Sequence, residues 1–311
     1  MPAIKVIDKS NPSHIGLQPI RVLQDLLPLK LENTCPGFIE LTRDAIENKN
    51  LYPGLIYHYG NKRAESPYVQ FSAIHIHESF LSYTWCICYC LYALHTETFN
   101  VKNGKTDDAA DESINEILNL FRYAKSLIHE YSEWNKEKFP NPELYGDEEK
   151  MTIEIVNKLF FAAINYILCH EFAHIECEHN TKHDFDDPDF NINAEIEADE
   201  RALQLMLLGC TSTTLQGTSL GIICAVFSYF FFSKYTVSSN GTHPDTDNRL
   251  HEVLLYLDPE PNSPIWAFAY IGYRLWDMAF NKNFEEPETA TSNKELYFHI
   301  YEQLQNEKKT L

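Results

Sequence analysis

The chain has few basic side chains, and they do not cluster. Its 311 residues include 25 Lys and Arg against 45 Asp and Glu, which gives a formal net charge of −20. Runs of Lys and Arg never exceed two residues. Because nucleic-acid binding needs clustered cations to neutralise phosphates, we expect no nucleic-acid partner. The same charge disfavours binding to an anionic membrane surface.

Long apolar runs and paired cysteine motifs are also missing. The most apolar stretches, residues 80–94 and 218–232, are shorter than the roughly 20 residues that a membrane span needs. They predict buried core helices. The first ten residues have no continuous apolar region of the kind found in a signal peptide. The eight cysteines do not form Cys-x-x-Cys pairs, so we expect buried free thiols in a cytoplasmic protein without a transmembrane segment.

The motif that is most informative about function is His170-Glu171-Phe172-Ala173-His174. Two histidines four residues apart project from one side of a helix, so both can bind a single zinc ion at about 2.0–2.1 Å. Glu171 lies roughly 100° further around the helix, where it can act as general base on water activated by the metal. Apolar residues at helical spacing predict a helix from Met151 to about Glu176. The alternative is a pair of buried histidines with hydrogen-bond partners and no metal.

A catalytic zinc site normally has three protein ligands and one open position. The metzincin pattern would need a histidine where the chain has Asn180, so that pattern is excluded. Glu195 is the better third ligand, in a predicted helix that ends at Gly209. Asp199 follows four residues later on the same side, where it can hold a ligand histidine in the required tautomer. The alternative for this segment is a solvated acidic helix start.

A third element is the segment around His243-Pro244, directly before a predicted helix. A histidine at the mouth of a zinc site can donate a hydrogen bond to the oxyanion of a tetrahedral intermediate. Arg249 could pair with a carboxylate of the ligand helix or bind substrate. The alternative is an ordinary turn with a surface arginine.

The alternating residues Tyr68–His77 predict a strand. An edge strand beside the metal helix could hold an extended substrate, with Phe71, Ala73 and His75 as candidate binding residues; an interior strand is the alternative. His75 and His77 lie on the same side of this strand, which leaves open a second metal there.

The predicted architecture is α+β and mainly helical, with a small N-terminal β-sheet. We expect a single domain over residues 1–311, with a possible division into a mixed part (1–145) and a helical metal-binding part (146–311). Residues 100–112 and 183–189 predict exposed loops, and residues 114–131 predict an amphipathic helix. Two C-terminal helices are expected to begin at Ser263-Pro264 and at a capping box from Ser292 to Glu295.

Three motifs together resemble the gluzincin pattern of HtpX-type and CAAX prenyl proteases. They are His-Glu-x-x-His at 170–174, Glu-x-x-Ala-Asp at 195–199, and Thr-His-Pro at 242–244 followed by Arg249. The resemblance implies a zincin-like core with one Zn²⁺ per chain and a general base on the active-site helix. It assigns His170, His174 and Glu195 as ligands, Glu171 as base, Asp199 as support for a ligand, and His243 and Arg249 as aids to transition-state binding or site integrity.

Those proteases span membranes, whereas this chain is predicted not to. Its size and central motif are more similar to the Lit-type phage-exclusion peptidases, which cleave a translation elongation factor during infection. That resemblance implies a protein substrate such as a translation factor, and activity that stays latent until a partner switches it on. The expected function is therefore that of a soluble zinc endopeptidase. The alternatives are a non-catalytic, zinc-stabilised interaction module and a zinc hydrolase that acts on bonds other than peptides.

Overall fold

The computed structural model describes residues 5–6, 16–102, 107–179, 188–235 and 243–309. With 64% helix and 5% strand, it confirms the mainly helical α+β class. The elements in chain order are β1 (Lys5–Val6), α1 (Arg21–Gln24), α2 (Leu26–Glu32), α3 (Phe38–Glu47), β2 (Leu55–His58), β3 (Tyr68–Gln70), β4 (Ala73–His77), α4 (Glu78–Lys102), α5 (Asp107–His129), β5 (Leu144–Tyr145), α6 (Lys150–Glu176), α7 (Pro188–Leu208), α8 (Leu215–Phe230), α9 (Thr246–Leu257), α10 (Pro264–Phe280) and α11 (Asn293–Lys308).

The small sheet has the strand order β2-β4-β3, with β4 in the centre. β2 runs parallel to β4, whereas β3 is antiparallel to it. The prediction of one strand over Tyr68–His77 was wrong, because Phe71 and Ser72 interrupt it in the left-handed region at φ 50° and 62°. Two such residues form the tight turn that suits a hairpin, so the segment folds back on itself and leaves β3 at the sheet edge.

Three long helices, α4, α6 and α8, pack against one another at the centre of the fold. The apolar runs at 80–94 and 218–232 lie in α4 and α8, and their buried side chains confirm them as core helices. Gly221 permits the close approach of α8 to α6, since a Cβ there would lie 2.3 Å from the Ala162 Cβ. Buried hydrophobic side chains form one connected cluster from Ile20 to Leu304.

Among the described residues, α6 is the one helix long and apolar enough to cross a membrane. Its most apolar window is 61% buried inside the fold. Packing against α4, α7 and α8 accounts for that burial, so α6 has the character of a core helix.

Most predicted helix ends are confirmed. Ser263 and Ser292 cap α10 and α11 as expected, each accepting a backbone hydrogen bond in the first turn. The predicted loop over 100–112 was largely wrong, since α4 extends to Lys102 and α5 starts at Asp107. Ala109 and Ala110 have a high helix propensity, which favours a helix over a loop in this part of the sequence. Of the predicted loop at 183–189, residues 183–187 lie outside the described residues. All eight cysteines are free thiols, and six of them are buried as predicted, whereas Cys177 and Cys210 are only partly buried.

Candidate metal centre

Two histidines of α6 and one carboxylate of α7 meet at the candidate centre. The Nε2 atoms of His170 and His174 lie 3.1 Å apart. Glu195 Oε2 lies 3.3 Å from His170 Nε2, and Glu195 Oε1 lies 3.4 Å from His174 Nε2. Tetrahedral zinc with bonds of about 2.0–2.1 Å holds its ligand atoms about 3.3–3.4 Å apart. The three donors are therefore spaced for one such ion.

The local structure explains this meeting. The histidines lie on one side of α6 because they are four residues apart, and α7 packs along that side. Ala198 is fully buried, and its small side chain lets the two helices approach closely. The sequence prediction that these three residues share one site thus matches the arrangement seen in the fold.

Asp199 fixes the orientation of His170. Its Oδ1 lies 2.9 Å from His170 Nδ1, so Nδ1 donates a hydrogen bond to the carboxylate and Nε2 faces the centre. The Tyr166 hydroxyl donates a second hydrogen bond to the same oxygen at 3.1 Å. A buried carboxylate with these partners is a rigid support for the ligand.

Arg249 completes the surroundings of Asp199. Its Nε and one terminal nitrogen donate to the two carboxylate oxygens at 2.6 and 2.7 Å. The guanidinium also lies 5.2 Å from the centre of the Tyr229 ring. Arg249 was predicted either to pair with a carboxylate of the ligand helix or to bind substrate, and in the structure it pairs with Asp199 of α7.

The electrostatics of the centre favour a cation. Burial lowers the pKa of His170, but Asp199 and Glu195 outweigh that effect and raise it to about 10. Burial raises the pKa of Glu195, yet the two ligand histidines hold it well below its ordinary value. Glu195 Oε2 is buried, and its 3.3 Å contact with His170 Nε2 lacks hydrogen-bond geometry. Such a buried acceptor is costly unless a positive partner meets it, so the donor set fits a divalent metal.

Glu171 is buried beside these ligands and lies in the wall of the same cavity. Burial raises its pKa, His170 lowers it, and Glu195 raises it again, to a net value of about 7. A carboxyl group with this pKa gains and loses protons readily at neutral pH, which is the property needed in a general base.

The centre opens into a cavity of about 590 Å³. His243 lies in its wall with a side chain 55% exposed, and its Nε2 is 3.5 Å from Glu195 Oε1. Burial of the rest of the ring and the nearby Arg249 lower the pKa of His243, against the opposing effect of Glu195. The imidazole is therefore accessible from the cavity.

Part of the cavity wall was not predicted from the sequence. Residues 66–69 and Tyr229 line it. Tyr229 lies in the apolar run at 218–232, whose sequence predicts only a buried core helix. The period of the strand suggested Phe71, Ala73 and His75 instead, but they do not line this cavity. Phe71 is 92% exposed at the hairpin turn, Ala73 is buried, and His75 Nδ1 lies 2.9 Å from His58 Nε2.

A second group of possible ligands adjoins the first: Cys177, His179 and Glu197. His179 Nδ1 lies 3.0 Å from His174 Nδ1, and its Nε2 lies 3.1 Å from Glu197 Oε2. His179 directly precedes Asn180, the position at which the metzincin pattern would need a histidine, and its contact with His174 was not predicted.

Comparison with known proteins places the chain in a family. The family model Peptidase U49 matches residues 74–269, well over half of the chain. That range contains the proposed ligands His170, His174 and Glu195, together with Glu171 and His243. No curated protein and no solved structure matches the chain. The chain therefore belongs to the Peptidase U49 family of Lit-type peptidases and is a peptidase.

Proposed function

We propose that the chain is a zinc-dependent endopeptidase that hydrolyses a peptide bond in a protein substrate. The observation that supports this most directly is the triangle of His170, His174 and Glu195, with Glu171 buried beside it. When bound there, zinc supplies a Lewis acid that polarises the scissile carbonyl and lowers the pKa of an attacking water.

Glu171 acts as the general base and then as the general acid. It takes a proton from the attacking water and delivers it to the leaving amine. Burial favours the protonated form of this carboxyl, so it accepts a proton more readily than an exposed glutamate does. Because the carboxyl is buried, bulk water does not compete for the proton during the reaction.

His243 and Arg249 have different roles. His243 has an exposed ring at the cavity, so it donates a hydrogen bond to the oxyanion that develops on the carbonyl. Two hydrogen bonds engage the Arg249 guanidinium with buried Asp199. Arg249 therefore acts on the orientation of His170 through Asp199, and its effect on substrate is indirect.

The substrate is an extended polypeptide that lies along β3. This strand is at the edge of the three-stranded sheet, and its residues Tyr68 and Val69 form part of the cavity wall. An edge strand offers main-chain hydrogen bonds to a substrate without regard to its side chains. Phe71, Ala73 and His75 remain a prediction as substrate contacts further along the hairpin.

The Lit-type resemblance extends the proposal to a cytoplasmic role in phage exclusion, with a translation factor as substrate. Eight free thiols support a reducing compartment. In this proposal the peptidase is latent and cleaves only after a partner activates it. Purified chain that degraded casein without any partner would contradict the latency but leave the peptidase assignment intact.

The test replaces the proposed base by its uncharged isostere. Glu171→Gln should keep one zinc per chain while cleavage falls by roughly 10³-fold or more. Glu200→Gln is the matched control, since it removes the same charge from an exposed position on α7. Mapping of new protein termini in cells that express wild type or Glu171→Gln would name the substrate.

Two results would overturn the proposal. Normal cleavage by Glu171→Gln would remove the assigned base. Wild-type protein that unfolds when zinc is removed, and that produces no new termini even in phage-infected cells, would indicate an interaction module stabilised by metal.

A further inference from the structure

We infer that His179 is a positioning residue for the ligand His174, and that it acts together with Glu197. The inference rests on the proposed zinc site, and it concerns a contact of this chain that the three motifs do not include. His170 is oriented directly by a carboxylate of α7. The structure assigns the same task at His174 to a two-residue relay that ends on a different carboxylate of the same helix.

The first step is the tautomer of His174. Its Nε2 is the atom that points at His170 Nε2 and Glu195, so this nitrogen must offer a lone pair to a metal. A neutral imidazole has one proton, which must then be on Nδ1. The nearest partner of Nδ1 is His179 Nδ1 at 3.0 Å. His174 therefore donates, and His179 Nδ1 accepts.

The tautomer of His179 follows from that of His174. If His179 Nδ1 accepts a hydrogen bond, its own proton is on Nε2. That nitrogen lies 3.1 Å from Glu197 Oε2, at a distance suited to donation to a carboxylate. The complete relay runs from His174 through His179 to Glu197, and every nitrogen in it has a defined role.

The backbone is shaped to bring His179 back over α6. The helix ends at Glu176, and Glu178 has φ 59°, in the left-handed region that usually selects glycine. This reversal returns the chain so that the His179 ring contacts the His174 ring, with centroids 5.1 Å apart. His179 is only 6% exposed, although it follows the helix end by just three residues. A conformation disfavoured for glutamate is thus kept where it buries a polar ring against a ligand.

The same atoms allow one competing assignment. Cys177, His179 and Glu197 lie close enough to hold a metal of their own. A metal on His179 Nε2 would move the proton of His179 to Nδ1, where it would meet the proton on His174 Nδ1. Two N–H groups cannot occupy a 3.0 Å contact as a hydrogen bond, so the relay and a second metal at Nε2 exclude each other.

The main test measures zinc affinity by competition with a chromophoric chelator. His179→Leu removes the acceptor while filling the buried space. We expect zinc affinity to fall roughly 10- to 100-fold, the effect typical of losing a partner of a metal ligand. Glu197→Gln, at an exposed position, should weaken zinc binding in the same direction by a smaller factor. Glu200→Gln on the same helix is the control and should bind zinc as wild type does.

A spectroscopic test needs no variant. In zinc-loaded wild-type protein with nitrogen-15 histidine, His179 should have an unprotonated Nδ1 and a protonated Nε2. A protonated Nδ1, a second zinc per chain that Cys177→Ser removes, or unchanged zinc affinity in both His179→Leu and Glu197→Gln would each overturn the inference. If His179→Leu does not fold, Glu197→Gln and the nitrogen-15 spectrum decide the question.

These outcomes are separable from the proposed function. Wild-type protein that binds no zinc would remove the proposed function and this inference together. Wild-type protein that binds one zinc and cleaves its substrate, with variants that bind zinc equally well, would remove this inference alone.

Discussion

Replacing Arg249 with methionine should destabilise the fold by far more than the loss of an ordinary ion pair. Arg249 donates hydrogen bonds of 2.6 and 2.7 Å to Asp199, and the two side chains are only 10% and 13% exposed. Removing one partner of a buried pair costs about 3–5 kcal/mol, because the remaining charge is left without compensation. Tyr166 and His170 still contact Asp199, so we expect a value near the lower end, about 3 kcal/mol.

The chain contains a matched control for this effect. Arg201 binds Glu176 through the same two-bond geometry, also at 2.6 and 2.7 Å. Those side chains are 30% and 27% exposed. Water therefore compensates the residual charge, and Arg201→Met should cost less than about 1 kcal/mol. Because the two ion pairs have the same hydrogen-bond geometry, the difference between the stability losses of the two variants measures the effect of burial.

The assay is urea unfolding of both variants in the presence of a chelator, so that metal affinity does not contribute. With an m-value of about 3 kcal/mol/M, the loss expected for Arg249→Met lowers the midpoint by about 1 M. Equal losses in Arg249→Met and Arg201→Met would refute the reasoning from burial.

The same pair predicts a pH dependence. Burial raises the pKa of Asp199, but Arg249 and His170 outweigh it and hold the pKa below its ordinary value. The stability linked to this carboxylate is therefore present above about pH 4 and is lost as the pH falls through the lower folded-state value. The difference in unfolding free energy between wild type and Arg249→Met should shrink over that acid range.

Three further predictions concern other contacts. Glu195→Ala should lose stoichiometric zinc, as measured by elemental analysis after dialysis, and a variant that kept one zinc per chain would refute Glu195 as third ligand. Gly221→Val should destabilise the fold by about 1–3 kcal/mol, because the added side chain would clash with α6. Gly217→Ala has open space around the added methyl group and should stabilise the fold by up to about 1 kcal/mol. Thermal unfolding temperatures that ranked the two variants the other way would contradict this packing difference. Glu143 is buried against Arg21, and although burial raises its pKa, its ion pairs lower it on balance. Glu143→Gln should therefore cost about 1.5–3 kcal/mol at neutral pH in urea unfolding, and this loss should shrink as the pH falls from about 4 through the lower folded-state pKa. A loss that stayed constant over that acid range would argue against the ion pair as its cause.

Local sequence patterns predicted the parts of the site that depend on helix geometry. The spacing of His170 and His174 guarantees a shared side of any helix, and the same holds for Glu195 and Asp199. The core helices α4 and α8 could be predicted from the sequence because their apolar runs are long. These features follow from rules that act over a few residues.

The hairpin turn, the chain reversal at Glu178 and the position of Tyr229 in the cavity wall were not predicted, because the residue types there do not indicate them. Phe71 and Ser72 form a left-handed turn without the glycine or asparagine that usually marks one, so the hairpin read as one strand. Glu178 reverses the chain in the same manner and brings His179 to His174. Tyr229 reaches the cavity from a helix whose sequence indicates only burial. The local preferences of these four residues therefore do not predict where the fold places them.

The contacts around the ligands have a consequence for how a metal would be captured. His170 is held by Asp199, and His174 lies against His179, through hydrogen bonds made entirely within the protein. The donor atoms therefore keep their spacing before any ion arrives. A preorganised centre loses little conformational entropy on binding, so most of the coordination energy is available as affinity. An arriving ion would have to displace water and protons, while the two histidine rings would already be in position.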